Sequence, residues 1–241
     1  TLVYGAIAYD NATNGGSNQS GGVSWSHTTA GNDRYLVVAT YWDVGSQPVG
    51  VTYNGVAMDL LFRMTSTNIY VYGLANPALG SNTVSVNFGG GGLWGDAIAT
   101  SYNGVKQTAQ PDSTGTKASG NPVTSLAGTT STVADNSWAI GIAKHGASDL
   151  GGTNTSVRVN ARHTNADWYA LVDGNAPKTP AGTATLTTTG TSQEMQLMVF
   201  SLAPAPVALA NVKTINGTAK ASVKTRNGVA VASIKGLNGV E

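Results

Sequence analysis

The chain has 241 residues, 41% hydrophobic and only 10% charged, with 31 glycines, no cysteine and a formal net charge of +1. That apolar fraction suffices for a buried core and excludes the disordered class, which is charged and poor in aromatics. The absence of cysteine excludes disulfides, thiolate zinc sites and cysteine nucleophiles, and the near-zero charge argues against nucleic-acid or membrane partners. No apolar run approaches the ~18 residues of a membrane span. The chain begins at Thr1 rather than Met and shows no signal peptide, as a processed product would.

In chain order, short apolar runs recur between clusters of Gly, Asn, Ser and Thr. "LVYGAIAYD" opens, followed by "GVSWSH" and "RYLVVATYWD". "VTYNGVAMDLLFRM" then places Asn54-Gly55 between two alternating arms, a strong hairpin signal. "NIYVYGLA", "NTVSVNF", "DAIATSYNGV", "SWAIGIAKH", "SVRVNARH", "DWYALVD", "GTATLTTTG" and "EMQLMVFSLA" complete about twelve strands, and no window keeps a helical period. "YLVVATYW" is apolar almost throughout, as a central strand covered on both faces requires. "SVRVNARH" alternates Val157, Val159 and Ala161 with Arg158, Asn160 and Arg162, which predicts one face in water. The Tyr-Asn-Gly-Val of "TSYNGVKQ" repeats that of residues 53–56 and predicts a second turn of the same kind. The tetraglycine 89–92 reads as a mobile loop. The pattern predicts an all-β fold: an antiparallel β-sandwich, jelly-roll-like, over residues 1–205, with a C-terminal β-meander tail over 206–241.

Composition changes after "APAP", and beyond Pro206 there are no aromatics and no prolines. The tail carries a net charge of +4 and the body −3. Asn-Gly recurs every eleven residues, at Asn216-Gly217, Asn227-Gly228 and Asn238-Gly239, each three residues after a lysine: Lys213, Lys224 and Lys235. With each Asn-Gly in a type I′ turn the tail becomes a meander. One face is then small and apolar, from Val212 to Ile234, and the other basic, with Lys213, Lys220, Lys224, Arg226 and Lys235. Such a ribbon buries too little to stand alone, and its facing lysines repel. It therefore needs a partner surface, acidic or from another subunit. A nucleic-acid-binding arm is the rival, weakened by the β pattern and the modest charge.

Chemistry is sparse. His27, His145 and His163 are the only histidines, all read at strand ends where a polar residue needs no special reason, and no HExxH or GxSxG motif occurs. "GGGLWG" fits GxGxxG formally, but no strand–helix unit surrounds it. No cofactor is implied. Asp10, Asp112, Asp149 and Asp173 lie in loop-like segments where a carboxylate helps bind Ca²⁺ or, more commonly, caps a turn. Trp25, Trp42 and Trp138 sit within apolar runs and read as core. Trp94 and Trp168, the latter beside Tyr169, stand near loops where an aromatic face stacks on a sugar ring.

The segments "GVSWSHTTAGNDRYLVVATYW", "VTYNGVAMDLL", "IYVYGLANPALGSNTVSVNF" and "AIATSYNGVKQ" together resemble the jelly-roll or lectin-like modules of tailed-phage virion proteins and large bacterial surface proteins. The tail resembles the short Lys-x-x-Asn-Gly repeats near the ends of phage structural proteins. The resemblance brings no catalytic motif. It implies a non-enzymatic decoration, fibre or spike component at the virion surface, with copies of itself and other virion proteins as partners. The alternative is a carbohydrate-binding adhesin on a phage or bacterial surface, using Trp94, Trp168 and Tyr169 on a host glycan.

Overall fold

The computed structural model describes residues 5–206, apart from 20, 44–46, 65–66, 91–92 and 164–166, together with residues 214–215, 218–219, 225–226 and 229–230 of the tail. Gly91 and Gly92 of the tetraglycine lie outside this set. Every strand pairing is antiparallel, and no helix occurs among the described residues.

The first half forms two sheets. One holds, in spatial order, β1 (Ala8–Gln19), β9 (Trp94–Asn103), β3 (Tyr35–Trp42), β7 (Ile69–Ala75) and β6 (Asp59–Arg63). The other holds β2 (Gly22–Thr29), β8 (Gly80–Asn87), β4 (Gly50–Tyr53) and β5 (Val56–Ala57). With β6 set aside, the eight remaining strands run first-eighth-third-sixth in one sheet and second-seventh-fourth-fifth in the other, which is jelly-roll connectivity. The second half forms a seven-stranded sheet of β10 (Ser113–Thr114), β16 (Thr183–Leu202), β12 (Trp138–His145), β15 (Trp168–Asp173) and β14 (Ser156–Arg162), with β11 (Ala118–Ser131) and β13 (Gly151–Thr153) also paired to β16. Among the described residues the body has sixteen strands rather than about twelve. The sequence missed β10 and β13, pieces of two or three residues, and also the 14-residue β11, whose Gly-, Ser- and Thr-rich run carries little apolar alternation, while β16 joins two of the predicted runs into one strand.

Three apolar layers explain the composition of the central strands. Along β3, Tyr35, Val37, Ala39 and Tyr41 enter a core shared with Ile140, Ile142, Leu171 and Phe200 of the seven-stranded sheet. The alternate residues Leu36, Val38 and Trp42 enter a second core against Val51, Tyr53, Val84 and Val86 of the four-stranded sheet. All eight residues of β3 are buried because the five-stranded sheet is the middle layer. The third core lies behind the seven-stranded sheet. There Ala184 and Leu186, from the first half of β16, pack with Leu197 and Val199 from its second half. β16 therefore doubles back, and the ribbon it makes with β11 forms an outer cover. Trp42 and Trp138 are buried and Trp25 is partly buried against the second core.

Turn chemistry follows the sequence in one place and departs from it in another. Asn54 and Gly55 both take positive φ, 50° and 75°, and join Tyr53 to its partner Val56 as a type I′ hairpin requires. The second Tyr-Asn-Gly-Val is not a hairpin. After Gly104 the chain runs on, and Val105 bridges to Pro204 because the facing position at the edge is held by the end of the body. Ala205 is pinned there, its N–H donating to Gly104 O at 2.8 Å and its carbonyl accepting from Gly5 N at 3.0 Å.

Among the described residues the tail contains two hairpins. β17 (Thr214–Ile215) pairs with β18 (Thr218–Ala219), and β19 (Thr225–Arg226) with β20 (Val229–Ala230). Ile215 opposes Thr218 and Arg226 opposes Val229, so each pairing leaves two residues between its arms, as an Asn-Gly connection predicts. The predicted assembly residues Lys213, Asn216, Gly217, Lys224, Asn227, Gly228, Ile234, Lys235, Asn238 and Gly239 themselves lie outside the described residues.

Candidate functional site

Asp96 follows Gly95 near the start of β9 and shares a face with Ile98 and Tyr102, so alternation aims a carboxylate into the apolar gap between the five- and seven-stranded sheets. It is 1% exposed. A buried carboxylate is tolerated only when paired. Its partner comes from the opposite sheet: His163, the residue after β14, is also fully buried and sets Nδ1 against Asp96 Oδ2. Ser17 of β1 donates its hydroxyl to the other oxygen, Asp96 Oδ1. The remaining imidazole nitrogen, Nε2, lies 3.0 Å from Oδ1 of Asp43, directly beyond β3, an ionic contact in which the N–H does not point squarely at the oxygen.

A second rank of groups encloses this pair. The Tyr41 ring lies 4.7 Å from the imidazole, and its hydroxyl reaches Asp167 Oδ2 at 3.4 Å. Lys144 of β12 neutralises Asp167 at 2.9 Å, and the His163 N–H donates to the Asp167 carbonyl at 2.8 Å. Burial works against the His163 imidazolium. The hydrogen bond and charge of Asp96, with Asp43 behind it, outweigh that, and the net shift is upward from the ordinary 6.5. Burial, and then Asp96, also push the Tyr169 phenol well up. With both ring nitrogens committed to carboxylates, His163 has no lone pair to act as a base. Ser17 is bonded to the carboxylate and not to the ring, so the arrangement does not activate a nucleophile. What it does is tie two sheets together by charge.

No family model, curated protein or solved structure matches this chain. Its chemistry rests on its own side chains.

The other two histidines are equally interior. His27 is 1% exposed within β2 and stands in a chain of hydrogen bonds. Trp25 Nε1 donates to Thr13 Oγ1 at 2.8 Å, and Thr13 Oγ1 lies 2.7 Å from His27 Nδ1. On the far side, His27 Nε2 is 3.0 Å from Ser101 Oγ, which donates to Asp10 Oδ2 at 2.7 Å. Because the Ser101 proton is given to Asp10, Nε2 must be the donor and Nδ1 the acceptor, a neutral imidazole. Burial lowers its pKa to about 4. The order is wrong for a catalytic triad, since the serine proton points away from the histidine. His145 accepts at Nδ1 from the N–H groups of Ala147 and Ser148, at 3.0 and 2.9 Å, and reaches Thr191 O through Nε2 at 2.9 Å, fixing the turn after β12. The strand-end placement holds for His145, the last residue of β12, and for His163, directly after β14, whereas His27 lies inside β2; all three rings are buried and hold parts of the fold together.

The predicted sugar-contacting residues separate. Tyr169 is 1% exposed in the core between the sheets, so it cannot offer its face to a sugar. This overturns its place in that group: on β15 it alternates with Trp168 and points inward. Trp94 and Trp168 are half-buried, at the starts of β9 and β15. Both flank the histidine cluster in sequence, since the Trp94 carbonyl accepts from Asp43 N at 3.1 Å and Trp168 follows Asp167. Alternation sends their rings to different faces, Trp94 with Asp96 and Trp168 with Ala170, so they do not form one platform.

Three of the loop aspartates spend their oxygens on protein donors. Asp10 accepts from Ala30 N, Asp112 from Val133 N, and Asp173 from Arg158 Nε and Asn175 N. Among the described residues no group of three or more His, Asp or Glu is arranged to hold a metal. Sequence reasoning missed Asp43, Asp96, Asp167 and Lys144. The available signal was Asp96, a lone charge at the head of the apolar run "AIAT", whose parity places it on a core face.

Proposed function

We propose that this chain is a non-enzymatic structural component of a phage particle surface, a decoration, fibre or spike protein, whose jelly-roll body is joined to neighbouring copies and other virion proteins by its C-terminal tail. The observation that supports this reading is the tail's pairing. Among the described residues each hairpin pairs only with itself and neither pairs with a strand of the body. An isolated two-stranded hairpin is marginally stable at best in water, and cover from a partner surface stabilises it. The body can act as a rigid carrier, because its histidines and several aspartates are consumed in internal ties. Deleting residues 207–241 tests the reading. The truncated body is expected to keep its cooperative unfolding and to lose self-association and incorporation into particles, measured by light scattering and particle composition. Normal incorporation of the truncated chain would end the assembly reading.

A second reading, a carbohydrate-binding adhesin, draws support from the partial exposure of Trp94 and Trp168 at one end of the body. A glycan array compares the native chain with Trp168→Ala. Binding that the substitution abolishes is expected on this reading, and no binding to any glycan removes it.

A further inference from the structure

We propose that Asp43, His163 and Asp96 form a pH-sensitive latch between the five- and seven-stranded sheets, closed while the imidazole carries two protons and loosened when it loses one. The geometry demands the cation. Two carboxylates from the five-stranded layer approach the two nitrogens of one ring carried by the opposite layer, and Asp96 and His163 are 1% and 0% exposed. Either neutral tautomer has one N–H and one lone pair. Whichever nitrogen loses its proton then presents that lone pair to a carboxylate, and two anions share one donor.

The groups facing the ring reinforce the dependence. Asp96 reaches it from β9 and Asp43 and Tyr41 from the end of β3; behind Tyr41 stand Tyr169, stacked on its ring, and Asp167, which meets its hydroxyl and is bound to Lys144 of β12. With His163 protonated the three carboxylates face two cations; with it neutral, only Lys144 remains. Tyr41 and Tyr169 cannot replace the lost charge, since a phenol carries no positive charge; burial, which pushes both well above their ordinary range, only keeps them from adding a negative one.

The same interface carries a second contact without a histidine. Tyr102 of the five-stranded sheet donates its hydroxyl to Asp173 Oδ2 at 3.1 Å, and Arg158, paired with that oxygen at 2.7 Å within the seven-stranded sheet, holds its guanidinium 3.9 Å from the Tyr9 ring of β1. Tyr102 is six residues beyond Asp96 on β9, a separation of about 20 Å along the strand. A guanidinium stays charged at any pH a folded protein meets. One end of the interface is therefore held by the Tyr102 hydrogen bond and the Arg158–Tyr9 contact, and the other by histidine. Loss of the histidine proton frees the His163 end while the Arg158 end holds, so the layers open from one side.

The sign is fixed by linkage. The folded pKa of His163 lies above the unfolded 6.5, so its stabilisation is complete below about pH 6.5 and is lost as pH rises through the folded value. The test uses the full chain, its His163→Gln variant and Asp43→Asn, which leaves the Asp96 contact in place. Imidazole nitrogen spectra are expected to show both ring N–H groups of His163 at neutral pH and a midpoint above 6.5, lower in D43N. Between about pH 6 and about pH 9 the native thermal midpoint falls, whereas that of H163Q stays level. Amide exchange at Asp43 and His163, compared at each pH with the variant, accelerates on the alkaline side by about tenfold for each unit by which the midpoint is raised, while the Tyr102 amide does not. A midpoint at or below 6.5, a single ring N–H at neutral pH, or parallel melting profiles for the native chain and H163Q would overturn the latch.

Discussion

At the scale of single residues, two buried histidines respond to pH with opposite signs because their partners differ. His163 faces carboxylates on both nitrogens. His27 faces hydroxyls, Thr13 on one side and Ser101 on the other, with Asp10 one step removed. Protonating His27 would put a second N–H against the Thr13 hydroxyl, which now donates its proton to Nδ1 and would have to turn it elsewhere. Its pKa falls to about 4 against 6.5 unfolded, so the unfolded chain takes up the proton first. The corresponding stability is present above about pH 6.5 and is lost as pH falls toward 4. The full difference is about 3 kcal/mol. Denaturant titrations of the native chain at a series of pH values are expected to give a maximum near neutrality, declining on the acid side through His27 and on the alkaline side through His163. Replacing His27 by Gln is expected to lower stability at neutral pH and to flatten the acid limb alone.

At the scale of elements, the edge strand β14 shows how one inserted residue redirects side chains. Strict alternation placed Val157, Val159 and Ala161 on one face. Instead Val157 opposes Val172 and Val159 opposes Leu171, leaving Arg158 as a bulge. The bulge sends Val157 to the outer core and Val159 to the inner one, and it turns Arg158 inward onto Asp173, with its guanidinium 3.9 Å from the Tyr9 ring. The predicted water-facing side is thus partly covered: Arg158 and Asn160 are half-buried and Arg162 stays exposed. Asp173 is fully buried, so Asp173→Ala leaves a guanidinium without its counter-charge and is expected to cost about 3 kcal/mol or more by chemical denaturation. The outer ribbon depends on another local feature. A Cβ on Gly115 would lie 1.9 Å from Thr129 O and 2.9 Å from Val199 O, both backbone atoms that cannot step aside. Gly115→Ala is expected to destabilise by about 1–3 kcal/mol or more. Gly50, which has nothing within 4 Å of the same position, supplies a control: Gly50→Ala is expected to change stability by less than about 0.5 kcal/mol.

At the scale of the whole molecule, three stacked layers and a doubled-back strand account for a protein with few charges and no disulfide. A sheet covered on both faces buries nearly every side chain of β3, β7 and β9, which supplies by packing what cysteine pairs supply in small secreted domains. The charge it does carry is divided, −3 on residues 1–205 and +4 on 206–241. If the tail docks on the body of a neighbour, that association is partly electrostatic and screened by salt. Raising ionic strength from about 0.05 M to about 0.5 M is expected to weaken self-association of the full chain, read by sedimentation, and to leave the truncated body unaffected. Association that strengthens or holds steady with salt would point to an apolar contact instead.

The sequence by itself determined the all-β antiparallel class, the type I′ turn at Asn54-Gly55, the two-sided burial of "YLVVATYW" and the positions of two tail hairpins. All of these are written in period-two alternation and in the φ preferences of Asn and Gly, which act over a few neighbouring residues. Only the tertiary structure decided that a third sheet covers the jelly roll, that β16 folds on itself, that Tyr169 is interior, and that Asp43, Asp96 and His163 meet. Those residues are 53 and 67 positions apart along the chain. Their meeting is set by how layers stack and where a bulge falls, and long-range packing of that kind leaves no periodic trace in the residues it joins.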